Sequence, residues 1–437
     1  MNTRLQVEHP VTEMITGIDL VELMIKVAAD EKIDAHLLKA ANDNMDVMPY
    51  NGWAMEARIY AEDPIKGFLP SNGPLLQYVE PITTNNDYND KKHDNDNTTV
   101  VRCDSGVAQG HVISTHYDPL ISKLIIHSPT RTQTINGLNQ ALDRYVIDGV
   151  GNNTQFVRDV CRNQSFINGD TPTSFIPTHY PNGFSGVSLT ADEKLYLAAS
   201  LSSIYHLRCD ILHRPPLTSM NGDYVEVNKD NTTTNNDDDS NSKIVLLGGL
   251  FGEAFKVTAN KDNNTTVTIQ KLTCISEEEK EDESITTIKS PIIQYHPVKS
   301  PIAEVTLPSQ QDGDNDSKSF AIQILKETNT NEITIQSFGC KLPIMVLSPS
   351  EYKLSKYMHE PIMIDMSQYL LSPMPGMLIS YAVKEGDTVQ LGQELCVVEA
   401  MKMQNVLKSE REGVIKKIYG IVGNSLRNDE IILEMES

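Results

Sequence analysis

An internal repeat near the end of the chain is the feature that most restricts its fold. Residues 376–387 and 413–424 align at a constant offset of 37 (413 − 376 and 423 − 386), and each copy is a short alternating apolar run that ends in a glycine-polar turn, at Gly386 and Gly423. At the same offset, Val389 matches Leu426. A period of two followed by a glycine turn is typical of β-hairpins, so the repeat predicts two similar antiparallel sheets.

Lys402 lies in the link between the two copies, with Met401 and Met403 on either side. A lone lysine is ordinarily one of many surface lysines, and that interpretation is the alternative here. Two exposed methionines, however, form a soft apolar collar that another protein can recognise. A primary amine on a flexible stem is also a good acceptor for an activated carboxylic acid. The sequence therefore predicts that Lys402 carries a covalent cofactor.

The composition restricts the partners. A length of 437 residues allows about three domains. The net charge of −22, without a compensating basic stripe, argues against a nucleic acid or an anionic membrane as partner. No apolar run is long enough to span a bilayer, and the six cysteines form no CxxC pair, so neither a membrane segment nor a zinc site is indicated.

The first residues alternate polar and apolar side chains. As a strand ended by Pro10, they would place Asn2, Arg4, Gln6 and Glu8 on one face. A solvent-facing strand is the simple interpretation. A guanidinium, two amide side chains and a carboxylate on one face can also bind a small oxyanion and hold a base beside it.

Local signals predict several further elements. Asp19 with Glu22 three residues later, and Thr190 with Glu193, are typical of helix starts. Residues 52–64 read as a strand running into a turn, in which Arg58 could simply form an ion pair with Glu56 or Glu62. Short β-like runs occupy 243–247, 265–272, 319–325 and 332–338. Runs rich in Asn, Asp, Thr or Glu are predicted to be disordered insertions, at 84–99, 229–242, 259–266 and 277–283.

The segments 372–376 (SPMPG) and 399–403 (EAMKM) resemble the biotinyl, or biotin carboxyl carrier, domain. The resemblance implies that biotin is attached to Lys402 by a biotin protein ligase. A lipoyl domain has a similar fold and is the nearest rival, but its lysine usually has an acidic neighbour. The turn at 423–429 departs from the family pattern of Gly-Asp with a second glycine.

Residues 1–13 (MNTRLQVEHPVTE) closely resemble the catalytic strand of biotin carboxylases, which are ATP-grasp enzymes. The resemblance assigns bicarbonate binding to Arg4, Gln6 and the backbone of Val7, and the role of general base to Glu8. It places Asn2 near the metal and phosphates. Residues 52–64 look like the next block of that family, in which Arg58 steadies the enolate of biotin. Blocks at 101–126 and 147–153 continue the resemblance.

These resemblances imply an α+β multi-domain fold. Residues 1–182 would be the C-terminal portion of a biotin carboxylase module, with an ATP-grasp remnant at 1–30. Residues 183–366 would form a helix-plus-β-barrel linking domain, and residues 368–437 an all-β biotinyl domain shaped as a flattened barrel.

The implied function is that of the α chain of a biotin-dependent acyl-CoA carboxylase, in a hetero-oligomer with a carboxyltransferase β subunit. The segment 169–184 looks more like the propionyl-CoA branch than the methylcrotonyl-CoA branch. Localisation in the mitochondrial matrix follows from the resemblance alone, since this chain has no transit peptide.

The sequence contains no counterpart of the family's glycine-rich phosphate loop, ATP-binding lysines or metal-binding glutamate. ATP with Mg²⁺ or Mn²⁺ would thus require a missing N-terminal half, and we expect a truncated chain that is inactive in the ATP step by itself. The alternative is a biotin carrier and interaction protein with an inert carboxylase remnant.

Overall fold

The computed structural model describes most of the chain in two compact units. The described residues are 4–33, 50–82, 99–114, 118–212, 242–260, 266–272, 285–297, 299–309, 317–328, 332–358, 368–400, 403–409, 411–427 and 429–436. The first unit comprises Met1–Ala141, Ile147–Ser185 and Met363–Ser437, and the second comprises Leu142–Val146 and Gly186–Ile362. The predicted disordered runs lie largely outside the described residues.

The helices of the described residues are α1 His9–Thr16, α2 Leu20–Ala28, α3 Arg131–Asp143, α4 Thr154–Arg162, α5 Gln164–Asn168, α6 Phe175–His179, α7 Ala191–Leu212 and α8 Pro349–Ser355. None of them is both long enough and apolar enough to cross a bilayer.

The strands between residues 50 and 150 are β1 Trp53–Tyr60, β2 Glu62–Asp63, β3 Leu69–Pro70, β4 Gly73–Pro74, β5 Gln77–Val79, β6 Val100–Ser105, β7 Val112–Ile113, β8 Leu120–Ser128 and β9 Val146–Asp148. Those of the second unit are β10 Ser242–Leu247, β11 Glu253–Ala259, β12 Thr266–Leu272, β13 Ile285–Lys289, β14 Ile292–Gln294, β15 Ile302–Leu307, β16 Lys318–Glu327, β17 Ile333–Ser337 and β18 Cys340–Leu347. The last group is β19 Tyr369–Leu371, β20 Gly376–Tyr381, β21 Thr388–Val389, β22 Glu394–Ala400, β23 Met403–Lys408, β24 Gly413–Ile418, β25 Ser425–Leu426 and β26 Ile431–Glu436.

A three-stranded antiparallel sheet in the order β1-β8-β6 organises the start of the first unit. Its inner face is apolar, with Ile59, Leu124 and Ile126 completely buried. Helix α1 packs against β1 and β8. Helix α2 begins where the sequence predicts, since the Asp19 carboxylate accepts a hydrogen bond of 2.8 Å from the Glu22 backbone N–H.

The structure corrects the strand that the sequence predicted over residues 2–8. The described residues 4–8 form a bend and a turn that lead into α1. The backbone N–H groups of His9 and Val11 donate to the carbonyls of Gln6 and Glu8. Pro10 therefore does not end a strand. It lies in the first turn of α1, where proline is well tolerated because the first backbone N–H groups of a helix have no partner within it.

The second unit is built on one nine-stranded antiparallel sheet, in the order β13-β12-β11-β10-β18-β17-β16-β15-β14. The sheet curls around α7, because that helix contacts both β12 and β14, from opposite halves of the sheet. Leu197, Leu201 and Ile204 of α7 are buried in the resulting core. The Thr190 hydroxyl and Glu193 carboxylate form the predicted capping contacts in front of α7.

The C-terminal part of the first unit contains two four-stranded sheets, in the orders β19-β26-β24-β21 and β23-β22-β20-β25. Strands β20, β21 and β22 recur as β24, β25 and β26 at the offset of 37 residues read from the sequence (413 − 376, 425 − 388 and 431 − 394). The prediction of two similar antiparallel sheets is confirmed. The copies also exchange strands, because β21 of the first copy pairs with β24 and β25 of the second copy pairs with β20.

Candidate functional site

Strand β1 presents a charged face. Glu56 and Arg58 alternate along it with Ala57 and Ile59, which are buried on the opposite face. In register, Arg58 lies beside Lys123 of β8, which in turn lies beside Asp104 of β6. A row of cation, cation and anion therefore crosses the three strands.

Glu8 is brought next to Arg58, although the two are fifty residues apart in sequence. It immediately precedes α1, and its Oε2 atom accepts a hydrogen bond of 2.6 Å from Arg58 Nη2. Their side chains are 51% and 37% exposed, so both groups are open to solvent and to a ligand. The two residues to which the resemblance gives the base and the guanidinium thus form one contact.

Lys123 joins the same site. Its ammonium lies 3.4 Å from the backbone carbonyl of Val7 and 3.4 Å from Asp104 Oδ2. The sequence analysis did not identify Lys123, because only the register of β1 and β8 places it beside Arg58. It is a cation within a few ångströms of the segment to which bicarbonate binding was assigned.

Arg102 of β6 ties helix α1 to the sheet. Its Nη1 atom donates a hydrogen bond of 2.9 Å to the buried carboxylate of Glu13, and its Nε atom donates one of 2.7 Å to Asp104. Charge-assisted bonds of this length are strong where they are shielded from water. Each strand of the sheet therefore contributes one cation to holding α1 and the residues before it.

Glu56 contributes a buried side chain to the cluster that contains Arg58 and Lys123. Its side chain is 4% exposed, and Oε1 accepts a long contact of 3.4 Å from Arg58 Nε. Burial raises the pKa of Glu56, an effect that the bond to Arg58 and the charge of Lys123 partly offset. The structural ion pair that was the simple interpretation of Arg58 is thus present together with the contact to Glu8.

The other predicted residues of this site are less well placed. Arg4 is exposed, and among the described residues no ion pair joins it to Glu8. Gln6 is half-buried, and its backbone carbonyl accepts hydrogen bonds from His9. Asn2 lies outside the described residues. The structure therefore groups Glu8, Arg58 and the Val7 carbonyl, and adds Lys123, Arg102 and Glu56.

The second candidate position is the link between β22 and β23. These strands pair along their length up to Ala400 and Met403, which are direct partners. Met401 and Lys402 are the two residues between them in sequence, and they lie outside the described residues. Met374, from the SPMPG segment, is buried and accepts a contact from Asn405 of β23.

Three family models match the chain. Residues 56–178 match the biotin carboxylase C-terminal domain, and residues 368–435 match the biotin-requiring enzyme domain. Residues 1–36 match the ATP-binding domain of the carbamoyl-phosphate synthase L chain.

Curated relatives match along nearly the whole of this chain. The propionyl-CoA carboxylase alpha chain of Ruegeria pomeroyi is 34% identical over 443 residues, covering 100% of this chain and 58% of its own length. The mitochondrial propionyl-CoA carboxylase alpha chain of Caenorhabditis elegans is 36% identical over 411 residues, covering 93% and 50%. The mitochondrial methylcrotonoyl-CoA carboxylase subunit alpha of Rattus norvegicus is 30% identical over 446 residues, covering 100% and 53%. The chain thus spans about half the length of the curated relatives that it matches.

Proposed function

We propose that this chain belongs to the biotin-dependent carboxylase family, that it acts as the α subunit of an acyl-CoA carboxylase and that it carries biotin on Lys402. The observation that carries the proposal is the repeated two-sheet domain in which Ala400 pairs with Met403. Two residues, Met401 and Lys402, separate these paired strands in sequence. Lys402 is one of those two residues, and the domain matches that of biotin-requiring enzymes.

Bound biotin would supply a ureido nitrogen that accepts and carries a carboxyl group. Around it, we assign the general base to Glu8 and the oxyanion contacts to Arg4, Gln6 and the backbone of Val7. Arg58 offers a guanidinium to negative charge that develops during the transfer. Its contacts to Glu8 and Glu56 hold the guanidinium at the edge of the cluster, where a ligand can replace the exposed Glu8 contact.

The relatives support a proposal for the substrate and the partners. We assign propionyl-CoA as the acyl substrate, because the propionyl-CoA carboxylase chains reach 36% identity against 30% for the methylcrotonoyl-CoA enzyme. A methylcrotonoyl-CoA carboxylase α chain is the second candidate. The partners would be a carboxyltransferase β subunit and a biotin protein ligase, with bicarbonate as co-substrate and the mitochondrial matrix as location.

The attachment site is tested by streptavidin blotting of the full chain after co-expression with a biotin protein ligase. We expect Lys402→Arg to lose the signal completely, because arginine keeps the charge but is not acylated. Lys408→Arg is the matched control, since Lys408 is exposed on the adjoining strand β23, and its signal should equal that of the wild type. An equal signal from both variants would refute the assignment. No signal from any chain would favour the lipoyl interpretation, which mass spectrometry of the lysine distinguishes.

A carrier with an inert carboxylase remnant remains the functional alternative. In that case biotinylation at Lys402 would persist, while substitutions of Glu8 or Arg58 would leave carboxylation by the assembled enzyme unchanged.

A further inference from the structure

Asn153 directly precedes helix α4, but its side chain does not cap that helix. Asparagine is among the best residues at that place because its side chain can bond the first free N–H groups of a helix. The Asn153 side chain makes no such bond. The preceding residue, Asn152, takes that role, since its Oδ1 atom accepts from the N–H and the hydroxyl of Thr154.

The Asn153 side chain instead binds the backbone of β1. Its Oδ1 atom accepts a hydrogen bond of 2.9 Å from the Tyr60 N–H, and its Nδ2 atom donates one of 3.1 Å to the Arg58 carbonyl. The Asn153 N–H donates a third bond of 3.2 Å to the Tyr60 carbonyl. Asn153 is 8% exposed, so these bonds are shielded from water.

These contacts fall on the open edge of the sheet. Among the described residues β1 is an edge strand, with β8 on its other side. The pairing of β1 with β8 also shifts by one residue between Ile59 and Tyr60, so the ladder is irregular next to Arg58. The carboxamide of Asn153 is a planar group with a donor and an acceptor, and it takes the place that the backbone of a neighbouring strand would occupy.

We propose that Asn153 is the positioning residue for Arg58. By binding the Arg58 carbonyl and the Tyr60 N–H, it sets the backbone from which the guanidinium reaches Glu8. This inference rests on the proposed function only for its catalytic consequence. The geometric part concerns this chain alone.

The test uses the full chain labelled with ¹⁵N-arginine, in which the Nε–H signal of Arg58 is assigned by its loss in Arg58→Lys. We expect Asn153→Ala to shift and broaden this signal. Asn153→Asp keeps the shape and the acceptor but loses the donor, and should shift it as well. Asn152→Ala is the matched control: it removes the bonds at the start of α4 without touching β1, and should leave Arg58 unchanged. The Arg102 signal should stay fixed throughout, because Arg102 lies on β6.

An unchanged Arg58 signal in Asn153→Ala, or an equal shift in Asn152→Ala, would overturn the proposal. If no Asn153 variant folds, amide hydrogen exchange in the wild type tests the contact instead. The Tyr60 N–H should be protected, although it lies on a strand edge, and rapid exchange there would refute its bond to Asn153.

The catalytic consequence is measured separately in the complete carboxylase. A displacement of about 1 Å at a catalytic group costs on the order of 10²-fold in rate, so we expect Asn153→Ala to lower kcat by about that factor with little change in the KM for ATP. If the Arg58 signal moves but kcat does not, the role proposed for Arg58 is wrong, while the positioning contact stands.

Discussion

Asp104 and Glu56 lie in the same charged cluster, yet their surroundings move the pKa values of the two carboxyl groups in opposite directions. Burial by itself would raise the pKa of Asp104, but the bonds and charges of Arg102 and Lys123 outweigh it and hold the pKa below the ordinary 3.8. At Glu56, burial dominates and raises the pKa above the ordinary 4.5. The difference comes from the number of cations that each carboxylate contacts.

This difference predicts opposite pH dependences. A carboxyl group with a lowered pKa stabilises the fold above its unfolded value, and that contribution is lost as the pH falls through the folded value. We therefore expect Asp104→Asn to cost about 1–3 kcal/mol at neutral pH, because it removes the carboxylate that Arg102 and Lys123 share, and less as the pH falls below 3.8. A group with a raised pKa behaves inversely, so the cost of Glu56→Gln should shrink as the pH rises above 4.5.

Trp53 provides the measurement. It is the single tryptophan of the chain and lies on β1, so its fluorescence follows urea unfolding of this sheet. Midpoints of wild type and both variants are compared across the acidic range. Parallel changes in the two variants would contradict the assignment of the charges.

At the scale of elements, the second unit is a long helix enclosed by one sheet. The core between α7 and the nine strands includes Val245 and Ile335, both fully buried. The main part of this unit, Gly186–Ile362, lies in sequence between the residues that match the biotin carboxylase C-terminal domain and those that match the biotin-requiring enzyme domain, and we expect the unit to anchor another protein.

We expect the full chain to co-purify with the carboxyltransferase β subunit of the same cell, and this capture to depend on the second unit. Val245→Asp should abolish it, because an unpaired charge in the core of β10 disrupts that unit. Ile126→Asp places the same charge in the core of the first unit and should preserve capture. The reverse pattern would assign the anchor to the first unit.

At the scale of the whole molecule, the expectation to test is that this chain by itself does not carry out the ATP step. Phosphate binding requires preorganised N–H groups and cations, and Mg²⁺ requires carboxylate ligands. In the part of the chain that the structure describes, no cluster of three or more His, Cys, Asp or Glu side chains could hold a metal.

Because the sequence offers no counterpart of the family's glycine-rich phosphate loop, we expect these 437 residues alone to release no phosphate from ATP in a bicarbonate- and biotin-dependent manner. A complete biotin carboxylase serves as the positive control for the assay. Phosphate release that depends on biotin, and that disappears in Glu8→Gln, would disprove this expectation.

The sequence by itself determined the features that depend on residues close together in the chain. The 37-residue repeat predicted the paired sheets, and the caps at Asp19 and Thr190 predicted two helix starts, because hairpin turns and capping bonds join neighbours a few positions apart. The strand expected over 2–8 failed for the same local reason, since a period of two over so few residues does not outweigh a proline in the first turn of a helix.

Only the tertiary structure decided which distant residues share the site. Lys123 meets Arg58 through the register of two strands, Arg102 reaches Glu13 across 89 residues, and Asn153 binds the Arg58 carbonyl across 95. The sequence also did not predict that β21 and β25 would each pair with a strand of the other copy of the repeat. An alternating pattern defines which face of a strand is buried but does not specify which other strand lies beside it, so cross-strand neighbours exist only once the sheet has assembled.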